Sequence, residues 1–357
     1  MKIAFVYDWL DSWGGAERVL LTFHKMFPRA PIFTSIYQPK KAIWAKNFEI
    51  KTSFLQKFPF AKTKRKFYTA LMPLAFETFN FSQYQLVISV SSFAAKGIIT
   101  LPKTKHIDYL LTPTRFLWQK RNQYLNAWQE EISQPILNYL KNWDQMAAQR
   151  PDQIISISKT VQKRCQKYYH RSSQIIYPPV KKYFQPGENK PKKYFLLVSR
   201  LEPYKKVDIA IRTFNQLNWP LKIIGQGTQE KKLKKMAHAN IKFLKDLTDF
   251  QLLRYYQNSR AIIFPQEEDF GLVAVEAQAC GKPVIAFRAG GAQEIIINRK
   301  TGLLFTPQDS GALRQTLLKF KSSHYNKKDC IQNAQKFNEK HFIEQWYTII
   351  KQYESKQ

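Results

Sequence analysis

Residues 264–286 read FPQEEDFGLVAVEAQACGKPVIA, and the order of residue types in this stretch decides the fold. The apolar run AIIFP (261–265) leads into it as a short buried strand that stops at Pro265. An acidic loop follows, Gly271 opens a helical segment, and PVIAF (283–287) is a second strand run. A strand, a helix and another strand in so short a span make a βαβ unit, whose two strands run parallel. Ligands of such sheets bind outside the carboxyl ends of the strands. The loop from Pro265 to Gly271 is therefore the first place to expect chemistry.

The same alternation extends in both directions. Upstream lie YFLLVS (194–199), LKIIG (221–225) and IKFL (241–244), each ahead of a helix start. At the beginning of the chain KIAFVY (2–7) precedes Gly14-Gly15 and a helix with apolar residues at Ala16, Val19, Leu20, Phe23 and Phe27, the helical period. PIFTSI (31–36), LVISVS (86–91), HIDYLL (106–111) and QIISI (153–157) are further strands, and a long helix is expected near 124–149. A stretch rich in Pro, Gly and Lys, near 177–193, interrupts the pattern as a linker. The expected fold is α/β, two Rossmann-like parallel-sheet domains facing across a cleft. The expected boundaries are 1–178, 179–335 and a final helix, 336–357.

Composition sets the outer limits. The chain has 357 residues, 44% hydrophobic and 23% charged, the mix of a folded protein with more than one core. No apolar run reaches the roughly 20 residues of a membrane span, and MKIAFVYDW carries no long apolar segment, so no secretion signal is expected. Three widely spaced cysteines, Cys165, Cys280 and Cys330, form neither a disulfide framework nor a CxxC metal motif. The six histidines include no HExxH, and no metal site is expected. The formal charge of +31 implies attraction to acidic partners. Its lysines are spread along the chain rather than clustered in a stripe, and no helix-turn-helix, zinc or RNP motif accompanies them, so nucleic acid is not the expected partner.

Four strand-following loops carry candidate chemistry. In DWLDSWGGAER (8–18), Gly14 and Gly15 at a helix start either let the backbone approach a phosphate or simply turn the chain. In SRLEPYKKVD (199–208), Arg200 and Lys205 either converge on an anion or are two solvated cations. In the 264–286 stretch, Glu268 lies on the loop and Glu276 in the helix, so both can face one pocket. Acids beside a helix start would repel phosphate, but they suit a ligand that also carries vicinal hydroxyls. They could equally be surface acids closing a loop. In FRAGGAQEI (287–295), Glu294 reads as a helix-dipole residue after Gly290-Gly291.

Taken together, GGAERVL, SRLEPYKKVD, EDFGLVAVEAQACGKPVIA with its Glu-x7-Glu spacing and GGAQE resemble the family 4 retaining glycosyltransferases of the GT-B fold. TSFLQ, LMPLA, TPTRFLW, IIYPPV and RLEPYKKVDIAI resemble in particular the mannosyltransferases of bacterial O-antigen and surface-polysaccharide synthesis. The resemblance implies transfer of a sugar, mannose first, from a nucleotide-sugar donor (GDP-mannose or a UDP-sugar) to a glycan or lipid-linked acceptor, without a metal. It implies catalytic roles for Glu268 on the transferred sugar and for Arg200 and Lys205 on the diphosphate. Gly14, Gly15 and the amides around Phe270, Gly271, Leu272 and Val273 would hold the donor, and Glu276 its ribose. The chain departs from the family where a histidine usually precedes Thr-Pro: here it is Leu111, and Ser92 replaces a second common histidine, while His106 aligns with a structural one. A donor-binding homologue with weakened catalysis is therefore the alternative, followed by a basic polyanion-binding protein.

Residues 52–76 interleave Phe54, Leu55, Phe58, Phe60 and Phe67 with Lys57, Lys62, Lys64, Arg65 and Lys66. Basic residues beside aromatic ones suit docking on anionic lipid; an amphipathic helix packed on the core is the other reading. The expected location is cytoplasmic, with peripheral attachment at the inner face of the membrane.

Overall fold

The computed structural model describes residues 1–119, 127–188 and 192–354; the start of the helix expected from 124 lies outside them. The chain divides into two compact units, 1–177 with 343–357, and 178–342. The first unit holds β1 (Ile3–Tyr7), β2 (Ile32–Thr34), β3 (Ile50–Thr52), β4 (Leu86–Ser91), β5 (Lys105–Leu110), β6 (Gln153–Ser156) and β7 (Gln174–Ile175). They form one sheet in the order β3-β2-β1-β4-β5-β6-β7, with every pairing parallel. The second unit holds β8 (Phe195–Val198), β9 (Leu221–Ile224), β10 (Ile241–Leu244), β11 (Ile262–Phe264), β12 (Val284–Phe287) and β13 (Gly302–Phe305), ordered β10-β9-β8-β11-β12-β13. It too is parallel throughout. In each sheet the strand order reverses once, between β1 and β4 and between β8 and β11. Those switch points are where a doubly wound sheet opens a crevice for ligands.

The strands read as continuous apolar runs because both faces are covered; all five residues of β1 are buried. The helix Gly15–Met26 turns Val19, Leu20 and Phe23 onto the first sheet, and Phe23 meets Phe5 at 5.3 Å between ring centroids. The helix Glu339–Glu354 buries Trp346 completely, edge-on to Phe23 at 4.8 Å and to Tyr109 at 5.5 Å. Burying an aromatic side chain of this kind contributes about 1.5–3 kcal/mol.

The first sheet also carries a buried polar cluster. Ser89 Oγ on β4 donates to Asp108 Oδ1 on β5 at 2.7 Å and lies 2.8 Å from His106 Nε2. Ser91 donates to the other Asp108 oxygen. Burial pushes His106 down to about 3 and Asp108 up to about 6. The signs oppose. The histidine's contribution to stability is complete above its ordinary pKa of 6.5 and is lost as pH falls toward 3. The aspartate's is complete in acid and is lost as pH rises through 6. His106→Gln is therefore expected to lessen the fall in denaturant midpoint between pH 7 and pH 4, and Asp108→Asn to steepen it. Midpoints for the two variants at both pH values check this.

Candidate functional site

The second unit joins its two switch-point loops by an ion pair. Lys205 leaves the loop after β8 and Glu268 the loop after β11, and Nζ of the first meets Oε1 of the second. The lysine side chain is 9% exposed and the carboxylate 20%, so the pair is sheltered but can be reached from solvent. Tyr204 lies beneath both cations of its loop, with Lys205 Nζ 5.1 Å and the Arg200 guanidinium 5.9 Å from its ring. Arg200 is itself exposed. The geometry thus gathers a fork-shaped cation, a point-charge cation and a carboxylate around one strand-end crevice.

Two features hold Glu268 in place. Gly291 N–H donates to its carbonyl at 2.9 Å. A Cβ at Gly290 or Gly291 would overlap the carbonyl oxygens of Glu268 and Phe270. The Gly-Gly after β12 therefore lets two loops pack backbone to backbone. Gly271 caps the helix Leu272–Ala279 at φ 110°, a left-handed conformation that favours glycine. The first-turn amides of Gly271, Leu272 and Val273 belong to the helix N-terminus, where N–H groups lack intrahelical acceptors. The Phe270 side chain is buried against Phe337 at 5.4 Å, so any ligand contact from Phe270 is a backbone contact.

The two glutamates do not share one set of neighbours. Glu276 is 1% exposed, and Tyr256 O–H donates to its Oε2 at 2.7 Å. Glu268 faces Lys205 instead. The expectation that both carboxylates open onto one pocket is corrected to one sheltered and one fully enclosed carboxylate. Burial also pushes the thiols of Cys280 and Cys330 up to about 12, and that of Cys165 likewise, so none is a nucleophile at neutral pH. Among the described residues no three His, Cys, Asp or Glu side chains group to hold a metal ion.

In the first unit, Gly14 caps its helix in extended backbone, φ −174°, which any residue adopts. Gly15 is exposed. The first turn already contains a carboxylate, because buried Glu17 accepts from Tyr7 O–H at 2.8 Å. Asp8, at the end of β1, spans this unit's switch point and accepts from the amides of Ser92, Phe93 and Ala95 and from the Ser92 hydroxyl, at 2.7–3.0 Å. Leu111 is half-buried, its amide bonded to Ser91. The following TPTRFLW turn is tied down by Asp144, whose Oδ1 accepts from Thr114 at 2.7 Å and Lys96 at 2.5 Å. Its Oδ2 accepts from Trp118 and Tyr169 at 2.7 and 2.8 Å. Asp8, Lys96 and Asp144 went unnoticed in the sequence; an aspartate directly after the first strand was the one available signal.

Residues 181–337 match the family model of the glycosyl transferases group 1. The match lies inside the second unit and takes in Arg200, Lys205, Glu268 and Glu276. Among curated proteins, the chain is 29% identical over 199 residues to an uncharacterized glycosyltransferase of Methanocaldococcus jannaschii, covering 54% of this chain and 56% of that one. It is 31% identical over 133 residues to the D-rhamnosyltransferase WbpZ of Pseudomonas aeruginosa, 35% of each chain. The chain spans a little over half the length of the first of these relatives. Among solved structures, the sucrose-phosphate synthase of Thermosynechococcus elongatus superposes with a TM-score of 0.79 at 16% identity, over the full length of both chains. Anabaena HepE in complex with UDP superposes with 0.74 at 18% identity, over 99% and 100% of the two chains. At these identities the likeness establishes the fold, which is GT-B.

Proposed function

We propose that this protein is a retaining, nucleotide-sugar-dependent glycosyltransferase. In this reading it moves a hexose, mannose first, to a glycan or lipid-linked acceptor in cell-surface polysaccharide synthesis. The observation that carries the proposal is the Lys205–Glu268 pair across the second unit's switch point, within the segment that matches the group 1 family. Lys205 and Arg200 stabilise the departing diphosphate, whose charge grows as the bond from the sugar C1 to the phosphate oxygen breaks. The new bond forms from the acceptor oxygen to C1 on the same face. The acceptor's proton passes to the leaving phosphate oxygen, so no strong protein base is needed. Glu268 accepts hydrogen bonds from the sugar hydroxyls, and amides of Gly271–Val273 meet the donor. Glu276, enclosed against Tyr256, reaches a ribose only after local adjustment, and no metal is required.

GDP-mannose is the donor that the sequence resemblance favours. A UDP-sugar is supported by the UDP and UDP-glucose complexes of HepE. A thermal-shift panel of GDP, UDP, GDP-mannose, UDP-glucose and short DNA separates these. Ligand at ~100 times its dissociation constant adds about 2.7 kcal/mol, enough to raise the melting point by roughly 5 °C or more. The proposal expects a shift with one nucleotide class, altered in Glu268→Gln. A shift with DNA alone overturns it. Leu111, whose side chain offers no hydrogen bond where the sequence resemblance implies a histidine, supports the second reading, a donor binder with weakened transfer. That reading expects the same nucleotide shift but no product with any acceptor. When product forms, its anomeric configuration by NMR tests retention.

A further inference from the structure

The segment that follows β3 exposes apolar surface to an unusual degree. Among the described residues seventeen large apolar side chains are exposed, and five of them, Phe58, Phe60, Phe67, Leu71 and Leu74, fall within 58–74. Phe60 is 71% exposed, Phe67 75% and Leu74 50%. The chain there runs as consecutive short turns, Ala61–Lys64, Arg65–Leu71 and Met72–Glu77. Phe60 precedes the first turn in left-handed backbone, φ 56°, Phe67 and Leu71 sit on the second turn and Leu74 on the third, and all four side chains lie on the solvent side. The other side supplies Ala61, Met72, Ala75 and Phe76 to the core. Leu55 is buried and Phe54 packs on that core, so these two expected surface residues are structural.

The cations sort in the same way. Between Ile50 and Glu77 the sequence holds six Lys and Arg and no acidic residue. Lys62, Lys64 and Lys66 are exposed, and Lys64 Nζ lies 5.6 Å and 5.8 Å from the Phe60 and Phe67 rings. Arg65 is different. It pairs with Asp11 and stacks over Trp9 at 4.4 Å, which ties the segment to the loop that leads to Gly14. The expected lipid contact from Arg65 is corrected to this tether.

We infer that Phe60, Phe67, Leu71 and Leu74, flanked by Lys62, Lys64 and Lys66, form a docking face for an anionic lipid surface. Charge complementarity decides the occupant. A second copy of the chain would set lysines against lysines. A polyanion without an apolar layer would leave two phenylalanines and two leucines in water. A bilayer interface takes aromatic and leucine side chains below the headgroups and lysines among them. Among the described residues no helix is long and apolar enough to cross a membrane, so this attachment is interfacial. The inference stands apart from the transferase reading, because vesicle binding needs neither donor nor acceptor.

Co-sedimentation of the full chain with phosphatidylcholine vesicles, with and without 30% phosphatidylglycerol, tests it. The expected result is pelleting with the anionic vesicles at low salt and little with the neutral ones. Lys62→Glu/Lys64→Glu/Lys66→Glu is expected to weaken partitioning roughly 100-fold or more, and Phe60→Ala/Phe67→Ala roughly tenfold. All five positions are at the surface, and far-UV circular dichroism confirms that the variants fold. The control Lys231→Glu/Lys232→Glu/Lys235→Glu, exposed in the second unit, removes the same charge elsewhere and is expected to have under a threefold effect. Equal loss in this control, or no loss in the phenylalanine variant, would mean general attraction of a basic chain and would overturn the inference. So would equal binding to neutral vesicles, or concentration-dependent dimerisation abolished by Phe60→Ala/Phe67→Ala.

Discussion

Replacing Lys205 with methionine is expected to slow sugar transfer roughly 100- to 1,000-fold, the usual effect of removing one preorganised group from a developing negative charge. The side chain is sheltered, and its ammonium already meets a carboxylate across the switch point. Glu268 holds that ammonium in place; on the proposed function, a donor diphosphate would give the lysine a second anion. The loss should therefore fall on kcat/KM, with kcat carrying most of it, since the charge it meets grows toward the transition state. Lys205→Arg keeps the charge but replaces a point with a planar fork, and is expected to recover only part of the rate. Glu268→Gln separates the two roles. It relieves the lysine of its resident anion, so nucleoside diphosphate should bind at least as tightly as to wild type. Transfer should still fall, because an amide is a weaker acceptor for the sugar hydroxyls. Initial rates with saturating acceptor, set beside calorimetric affinity for the nucleoside diphosphate, measure both. Wild-type rates in Lys205→Met would remove this pair from the mechanism.

The strands bordering the two switch points were legible because they are enclosed on both faces. KIAFVY, LVISVS, YFLLVS and AIIF need no alternation to be recognised. The strands that escaped notice are β3, β7 and β13. β3 is three half-buried residues, Ile-Lys-Thr, and β7 is two; both lie at sheet edges where one partner suffices. β13, Gly-Leu-Leu-Phe, is an edge strand that opens on glycine, holds no β-branched residue and leaves both leucines half-buried, so it does not stand out after the INRKT turn. The loops of the site were legible as loops, since glycines and charges cluster after strands, but their partners were not. Nothing in the spelling of SRLEPYKK and PQEEDFG says that Lys205 chooses Glu268, or that Glu276 turns to Tyr256. Nor does the run KTKRK distinguish Arg65, which reaches back to Asp11, from the lysines beside it. Those choices depend on which strand ends the sheet order brings together. Local sequence shows where a loop begins, while the crossover decides what it faces.

Replacing Asp144 with alanine is expected to destabilise the first unit by about 3–5 kcal/mol, the cost of breaking a buried ion pair from one side. Asp144 is fully buried and Lys96 is 1% exposed. Both carboxylate oxygens are doubly engaged, by Lys96 and Thr114 on one and by Trp118 and Tyr169 on the other. Alanine would leave the Lys96 ammonium without a counter-ion among the described residues it bonds, beside the Phe93 carbonyl at 2.5 Å, the Thr114 hydroxyl at 3.4 Å and the Tyr169 ring at 5.3 Å. It would also strip the buried Thr114 and Tyr169 hydroxyls and the half-buried Trp118 N–H of this acceptor, which places the expected loss toward the upper end of that range. With folded domains stable by only about 5–15 kcal/mol, such a loss moves the unit a large part of the way to unfolding. The companion variant Lys96→Met/Asp144→Leu removes the stranded ammonium and is expected to recover part of the loss, but not all of it, because Thr114, Trp118 and Tyr169 still lack their acceptor. Denaturant melts followed by tryptophan fluorescence report on this unit directly, because Trp118 and Trp143 lie beside the network. The two units need not unfold together, so the transition to read is the one in which these tryptophans change. The consequence for function follows from position. Asp144 holds the turn that begins just after Leu111, so Asp144→Asn, which keeps the shape and loses the charge, should loosen residues 112–118 before it unfolds the unit. An unchanged midpoint in Asp144→Ala would show that the network contributes neither stability nor order to that loop.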